Sequence, residues 1–146
     1  KERYHSTLSA LEVCTDPEDL LLIHDAVRPL VSEAIISRCV EALARYDAVG
    51  VAVPSTDTIV RVDENECIVE TLPRAVLRNM QTPQGFRQKV LRQAFDLGLQ
   101  DPHFAPTDDC GVVRRYLPDV PIRIVEGEVT NIKITYPKDL EMIRKG

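Results

Sequence analysis

Asp25 and Arg28, with His24 just before them, follow directly on the apolar run Leu20-Leu21-Leu22-Ile23 and precede Pro29. A carboxylate at the end of a buried strand is suited to a hard cation, and Mg2+ commonly joins a few carboxylates to substrate phosphates. Hydrogen bonding to neighbouring backbone amides is the plainer use of the same aspartate. Arg28 offers a two-pronged grip on phosphate or a structural ion pair. His24 has no partner at metal-ligand spacing and reads as a packed, hydrogen-bonded ring. Further along, Arg74 follows Pro73 and is either an anion-binding arm residue or a solvated one. Lys133 lies inside Asn131-Ile132-Lys133-Ile134-Thr135, where it either enters a cleft to balance phosphate charge or protects a sheet edge. Thr58, Thr82 and Thr107 offer hydroxyls at element ends. The order of a Ser-His-Asp triad, a Walker loop, a paired zinc motif and a basic-aromatic nucleic-acid surface are all missing from the sequence.

These residues need a scaffold, and the hydropathy pattern supplies one. The run from Leu20 is continuous rather than alternating, which predicts a strand buried on both faces in a helix-covered sheet, with ligands gathering beyond its carboxyl end. A helix carrying Leu8 and Leu11, capped by Ser6 or Thr7, is expected before it. After Pro29, Ser32 caps a helix in which Ile35, Ile36, Cys39, Val40 and Leu43 recur at helical spacing, followed by a short strand over Val49 to Val53. Strand, helix and strand in this order predict parallel strands joined by a right-handed crossover. Thr58 to Val62 alternates, Asp63-Glu64-Asn65 turns, and Cys67 to Leu72 returns, which makes a β-hairpin arm over about 56–80. Such a hairpin is marginal alone, so a second subunit is the natural cover. Gln81 to Phe86 reads as loop. Gln88 to Leu99 is an amphipathic helix with Val90, Leu91, Ala94 and Phe95 inward, and Thr107 caps another that buries Val112 and Val113. Ile122 to Val125 and Asn131 to Thr135 read as short strands, and Pro137 opens a last helix.

With 146 residues, 44% of them hydrophobic, the chain can bury one real core and is too short for two domains. Its net charge of -5 excludes broad electrostatic attachment to nucleic acid or to an anionic membrane, while leaving room for a local basic pocket. No stretch reaches membrane-spanning length, and the amino end lacks a signal-peptide core. Cys14, Cys39, Cys67 and Cys110 are widely spaced without a Cys-x-x-Cys pair, as expected of ordinary thiols in a cytoplasmic protein.

An ordered set of motifs adds to this reading. Glu2-Arg3 with Ser6, His24-Asp25-Ala26-Val27-Arg28-Pro29, Asp57-Thr58-Ile59, Glu70-Thr71-Leu72-Pro73-Arg74, Gln81-Thr82-Pro83-Gln84-Gly85-Phe86, Thr107-Asp108-Asp109 and Asn131-Ile132-Lys133-Ile134-Thr135 run through nearly the whole chain. Together they resemble the 2-C-methyl-D-erythritol 4-phosphate cytidylyltransferase family. The resemblance implies an α/β, Rossmann-like, mostly parallel sheet with flanking helices and a protruding hairpin that serves as a dimerisation arm. It also implies an enzyme of non-mevalonate isoprenoid biosynthesis that joins CTP to a sugar-alcohol phosphate, releases pyrophosphate and uses Mg2+.

By that resemblance, Asp25 faces both metal and substrate, Ser6 and Ala26 lie near the nucleotide, and Arg28 and Thr107 contact substrate. Arg74 and Lys133 form the catalytic pair that positions the acceptor phosphate, and Thr58 shares the arm with Arg74. The arm crosses a homodimer in this family, so Thr58 and Arg74 are expected to complete the neighbouring subunit's site. Family members begin with a strand and a glycine-rich loop bearing an arginine and a lysine, which this sequence does not contain. Residues 1–146 are therefore expected to be the carboxyl-terminal portion of a single nucleotidyltransferase domain, binding CTP poorly alone. Two rivals differ in acceptor or in kind: the related ribitol-5-phosphate cytidylyltransferase, and a non-catalytic sugar-phosphate-binding or dimerisation module. The presence of Asp25, Arg74 and Lys133 together speaks against a mere scaffold.

Overall fold

The computed structural model describes residues 3–145; Glu2, the first residue of the motif set, lies outside them. Helix α1 spans Tyr4–Val13, α2 Glu33–Leu43, α3 Gln88–Leu99, α4 Asp109–Tyr116 and α5 Asp139–Lys145. Strands β1 (Leu20–Ile23), β2 (Ala48–Pro54), β5 (Arg78–Arg87) and β6 (Ile122–Glu126) form one sheet in the order β1-β5-β2-β6, while β3 (Val60–Val62) and β4 (Ile68–Thr71) pair separately. β5 runs antiparallel to both β1 and β2, and β2 is parallel to β6. Three of the four strands thus point the same way, with β5 inserted against them. β1 and β2 share a direction, as a crossover through α2 requires, but β5 separates them.

Side-chain alternation along β2 explains the layering. Ala48 belongs to the core under α1, α3 and α4, with Leu11, Phe86, Leu91, Phe95 and Val113. Val49 and Val51 point the other way, onto Ile35, Cys39 and Leu43 of α2. Two helical layers therefore sandwich the sheet. Ser32 caps α2, its Oγ accepting from the Ile35 amide at 3.2 Å, and Ile36 and Val40 fall on the exposed side of that helix.

Four expectations are corrected. Gln81 to Phe86 is the central part of β5, every residue of it buried. Its polar side chains find partners inside the protein, and Gly85 lets Leu22, Val49 and Leu43 close in; a Cβ there would meet Leu22 and Val49 at 2.9 Å. Asn131 to Thr135 forms no strand. Its backbone is instead tied to the Asp25–Arg28 turn, the Ile134 amide donating to the Val27 carbonyl at 2.8 Å. The helix caps also differ: α1 begins after Arg3, which leaves Ser6 and Thr7 within the helix, and Asp108 rather than Thr107 caps α4, accepting from the Gly111 amide at 2.8 Å. β1 is less buried than its apolarity predicted, with Leu20 41% exposed, because β5 is its one neighbour in the described sheet.

The predicted hairpin is present. Asp63 Oδ1 accepts from the Asn65 and Cys67 amides to hold the turn, and the arm projects with all residues of β3 and β4 exposed. Among the described residues no helix is long and apolar enough to cross a membrane. The four cysteines are free.

Candidate functional site

β1 ends at Ile23, and the next residues turn across the carboxyl edge of the sheet. His24 shapes this turn: its Nε2 donates to the Arg28 carbonyl at 2.9 Å, and its Nδ1 lies 2.9 Å from the Thr82 hydroxyl. Thr82 Oγ1 also accepts from the Asp25 amide at 3.0 Å. The packed, hydrogen-bonded reading of His24 therefore describes it. Asp25 is brought between two guanidinium groups, with Arg3 Nη2 2.5 Å from its Oδ1 and Arg28 Nε 3.6 Å from its Oδ2.

Two adjoining cavities open at this point. One, of about 170 Å3, is lined by Arg3, Asp25, Arg28, Thr82, Asp108 and Lys133, with Thr107 and residues of β5 completing its wall. The other, of about 280 Å3, is lined by Ser6, Thr7, His24, Ala26 and Asp109 and shares Arg3, Asp25, Thr107 and Asp108 with the first. Arg3 crosses the shared boundary, since its Nη1 donates to the Thr107 carbonyl at 3.2 Å while its Nη2 holds Asp25. Asp25, Arg28, Thr107 and Lys133 thus meet at one cavity, and Ser6 and Ala26 meet Asp25 at the other. Thr58 and Arg74 do not join them in this chain. Both are exposed on the arm, where Arg74 Nη1 donates to the Thr56 carbonyl at 3.0 Å.

The smaller cavity carries three cations, Arg3, Arg28 and Lys133, against two carboxylates, Asp25 and Asp108. Asp108 is already committed: Oδ1 caps α4 and Oδ2 accepts from Gln84 Nε2 at 3.0 Å. None of the ion pairs among the described residues involves Lys133. The balance favours an anion, and a phosphate matches both the guanidinium fork of Arg28 and the point charge of Lys133. At the neighbouring cavity, Asp109 is buried with its carboxylate accepting from Thr7 Oγ1 at 3.0 and 3.2 Å. Burial raises its pKa above the usual carboxylate value, although the Thr7 hydrogen bond pulls the other way.

The donor set suits Mg2+ in one mode only. Among the described residues there is no cluster of three His, Cys, Asp or Glu side chains able to hold a metal. Mg2+ needs fewer when substrate phosphates supply the remaining oxygens, and one or two carboxylates then suffice. Asp25 fits that sparse mode once Oδ1 is released from Arg3.

Sequence reasoning passed over Arg3 as a site residue, as well as Gln81, Gln84, Asp108 and Asn131. The signal for the two glutamines was the polar run Gln81-Thr82-Pro83-Gln84 beside apolar segments, whereas Asn131 stands as a lone amide between Thr130 and Ile132. Amides in such a setting are either loop or buried network, and only the tertiary structure distinguishes the two.

Comparison with known proteins points in one direction. Residues 1–144 match the family described as 2-C-methyl-D-erythritol 4-phosphate cytidylyltransferase. The protein of that name from Thermobifida fusca (strain YX) is 54% identical over 144 residues, covering 94% of this chain and 58% of the relative. The bifunctional ribulose 5-phosphate reductase/CDP-ribitol pyrophosphorylase Bcs1 of Haemophilus influenzae is 46% identical over 143 residues, covering 96% of this chain and 30% of the relative. The crystal structure of 4-diphosphocytidyl-2C-methyl-D-erythritol synthase from Anaerococcus prevotii DSM 20548 superposes with a TM-score of 0.89 at 34% identity, covering 97% of this chain and 64% of that one. The 2-C-methyl-D-erythritol 4-phosphate cytidylyltransferase from Thermus thermophilus gives a TM-score of 0.83 at 35% identity, covering 99% and 68%. The chain thus spans little more than half of its Thermobifida relative, but the match runs through nearly all of its own residues. It belongs to the 2-C-methyl-D-erythritol 4-phosphate cytidylyltransferase family.

Proposed function

We propose that these residues form the acceptor side of a cytidylyltransferase site that joins CTP to 2-C-methyl-D-erythritol 4-phosphate. The products are 4-diphosphocytidyl-2-C-methyl-D-erythritol and pyrophosphate. The observation that carries this reading is the meeting of Asp25, Arg28, Thr107 and Lys133 at one small cationic cavity, continuous through Asp25 with the cavity that holds Ser6 and Ala26. In the reaction, an oxygen of the acceptor phosphate attacks the α-phosphorus of CTP in line. The bond from that phosphorus to the bridging oxygen breaks, and its electron pair leaves with pyrophosphate. Arg28 and Lys133 hold the acceptor phosphate and offset its charge, so that two anions can approach. Asp25 would hold Mg2+, which supplies neutralisation of the triphosphate. Ser6 and Ala26 border the nucleotide.

The arm belongs to the same reading. Ile68, Val69 and Val76 are exposed there, and Thr58 and Arg74, exposed as well, line neither of the two cavities described above. These features support a homodimer in which the arm delivers Thr58 and Arg74 to the neighbouring subunit's acceptor phosphate. The fold and the thiols are compatible with a cytoplasmic enzyme.

The likeness to a protein named for CDP-ribitol synthesis favours ribitol 5-phosphate as a second reading of the acceptor. Pyrophosphate release by the full-length protein, measured with CTP and either acceptor, decides between them. Turnover is expected with methylerythritol phosphate; turnover with ribitol phosphate alone would transfer the assignment, and turnover with neither would end it.

A further inference from the structure

Asn131 is fully buried, although it opens an irregular segment that is otherwise mostly accessible. Its Nδ2 donates to the Thr82 carbonyl at 2.8 Å and to Gln81 Oε1 at 3.2 Å. Both partners are acceptors, and Gln81 is itself oriented by donating Nε2 to the Glu128 carbonyl at 3.0 Å. The Asn131 amide therefore has one workable orientation. Its main chain is equally committed: the amide donates to Glu128 at 3.0 Å and the carbonyl accepts from Arg28 Nη1 at 2.7 Å. Lys133 follows two residues later at the cavity, and the Ile134 amide closes the segment onto Val27. One buried side chain thus ties the β5 floor to the backbone that carries Lys133 and receives Arg28.

We propose that Asn131 is the positioning residue that aims Lys133 and Arg28 at the acceptor phosphate. It acts through them and touches no substrate. The inference rests on the reading that these two cations bind that phosphate. Asn131→Asp keeps the shape but sets an oxygen against the two acceptors that Nδ2 now satisfies, so the segment has to move. Gly127→Ala disturbs the same network from outside, because a Cβ at Gly127 would collide with Gln81 Oε1.

In the full-length protein, Asn131→Asp is expected to raise the KM for the acceptor about tenfold and lower kcat about 10²-fold, while the KM for CTP stays within about twofold. Gly127→Ala is expected to shift the same constants in the same direction, less strongly. A purely structural role would weaken both substrates together. Acetylation of Lys133, read by mass spectrometry against Lys89 and Lys138, provides a measurement independent of turnover, and its rate is expected to change severalfold in Asn131→Asp. Wild-type kinetics in that variant, or equal losses for CTP and acceptor, overturns the proposal. If the wild-type protein transfers no cytidylyl group, the functional reading falls, and the labelling alone decides: an unchanged Lys133 rate overturns the positioning role.

Discussion

The cavity wall and the hairpin arm put their residues to work in opposite ways. In the wall, Gln81, Thr82, Gln84 and Asn131 are polar and 7%, 3%, 3% and 0% exposed, so each had to find internal partners. In the arm, Ile68 and Val76 are apolar and 66% and 73% exposed. The wall makes its hydrogen bonds within one chain, leaving only Asn131 Oδ1 and Arg28 Nε among its described buried side-chain atoms without a hydrogen-bond partner, and it holds Asp25 and Arg28 before any ligand arrives, which is the preorganisation that electrostatic catalysis requires. The arm is incomplete by the same accounting. A two-stranded ribbon with exposed apolar side chains needs another surface, and its two candidate functional residues need another cavity. In the proposed site, half would therefore be built in and half lent by a second subunit.

The largest effect should come from separating these halves. Lys133→Ala in the wall and Arg74→Ala on the arm are each expected to lower kcat about 10²- to 10³-fold in the full-length enzyme, with the fold intact. Mixing the two inactive variants under conditions that exchange subunits then tests the loan. In a mixed dimer with crossed arms, one site combines an intact Lys133 with an intact Arg74. Random exchange should restore about a quarter of wild-type activity, since half of the dimers are mixed and one of their two sites is whole. No recovery despite demonstrated exchange would place Arg74 at its own chain's site and remove the contrast between wall and arm.

A smaller effect concerns the arm's cover. Ile68→Asp puts a charge where an apolar contact is proposed, and it is expected to weaken self-association about tenfold or more in sedimentation velocity. The wall should not respond: binding of CTP by the dissociated species is expected to stay near wild type. An unchanged association constant would mean that Ile68 is simply solvated.

How much of this was legible in the sequence follows the same division. The arm could be read from Thr58 to Leu72 because alternation and an Asp-Glu-Asn turn are local signals. Helices α2 and α3 could be read because Ile35, Cys39, Leu43 and Leu91, Ala94, Phe95 mark one face each. β5 could not. Gln-Thr-Pro-Gln-Gly has the composition of a loop, and its strand character comes from β1 and β2 on either side and from Asn131, Cys110 and Glu128, which satisfy its amides. The Asn131–Thr135 segment failed in the opposite direction. Its alternation imitates a strand, whereas its hydrogen bonds run to Gln81, Thr82, Val27 and Arg28. Spacing alone offered Asp25 and Lys133 as separate candidates; their meeting at one cavity was implied by the family resemblance and is a product of tertiary structure. The cap falls on Asp108 and not on Thr107, one position away, because it is the Asp108 carboxylate that meets the Gly111 amide three residues on.

The smallest effect separates two aspartates that the sequence does not distinguish. Asp101, just after α3, accepts from the His103 amide and the Tyr116 hydroxyl, and these bonds hold its pKa below the ordinary value. Its contribution to stability is present above the unfolded-state value and is lost as pH falls. Asp109, in the cavity wall, is shifted upward by burial. Between the ordinary aspartate value and the raised one, the unfolded chain has released a proton that the folded chain keeps. Stability therefore falls as pH rises through that window and levels off above it. Asp109→Asn removes this decline while keeping an acceptor for Thr7. The stability of the variant relative to wild type, from urea denaturation over a pH series that starts at the ordinary aspartate value, is expected to improve with rising pH and then flatten. Asp101 is common to both proteins and cancels in the difference. A relative stability that worsens as pH rises would mean that the hydrogen bond from Thr7 and the charge of Arg3 outweigh desolvation, and that this wall tolerates an ionised carboxylate next to the place proposed for a nucleotide.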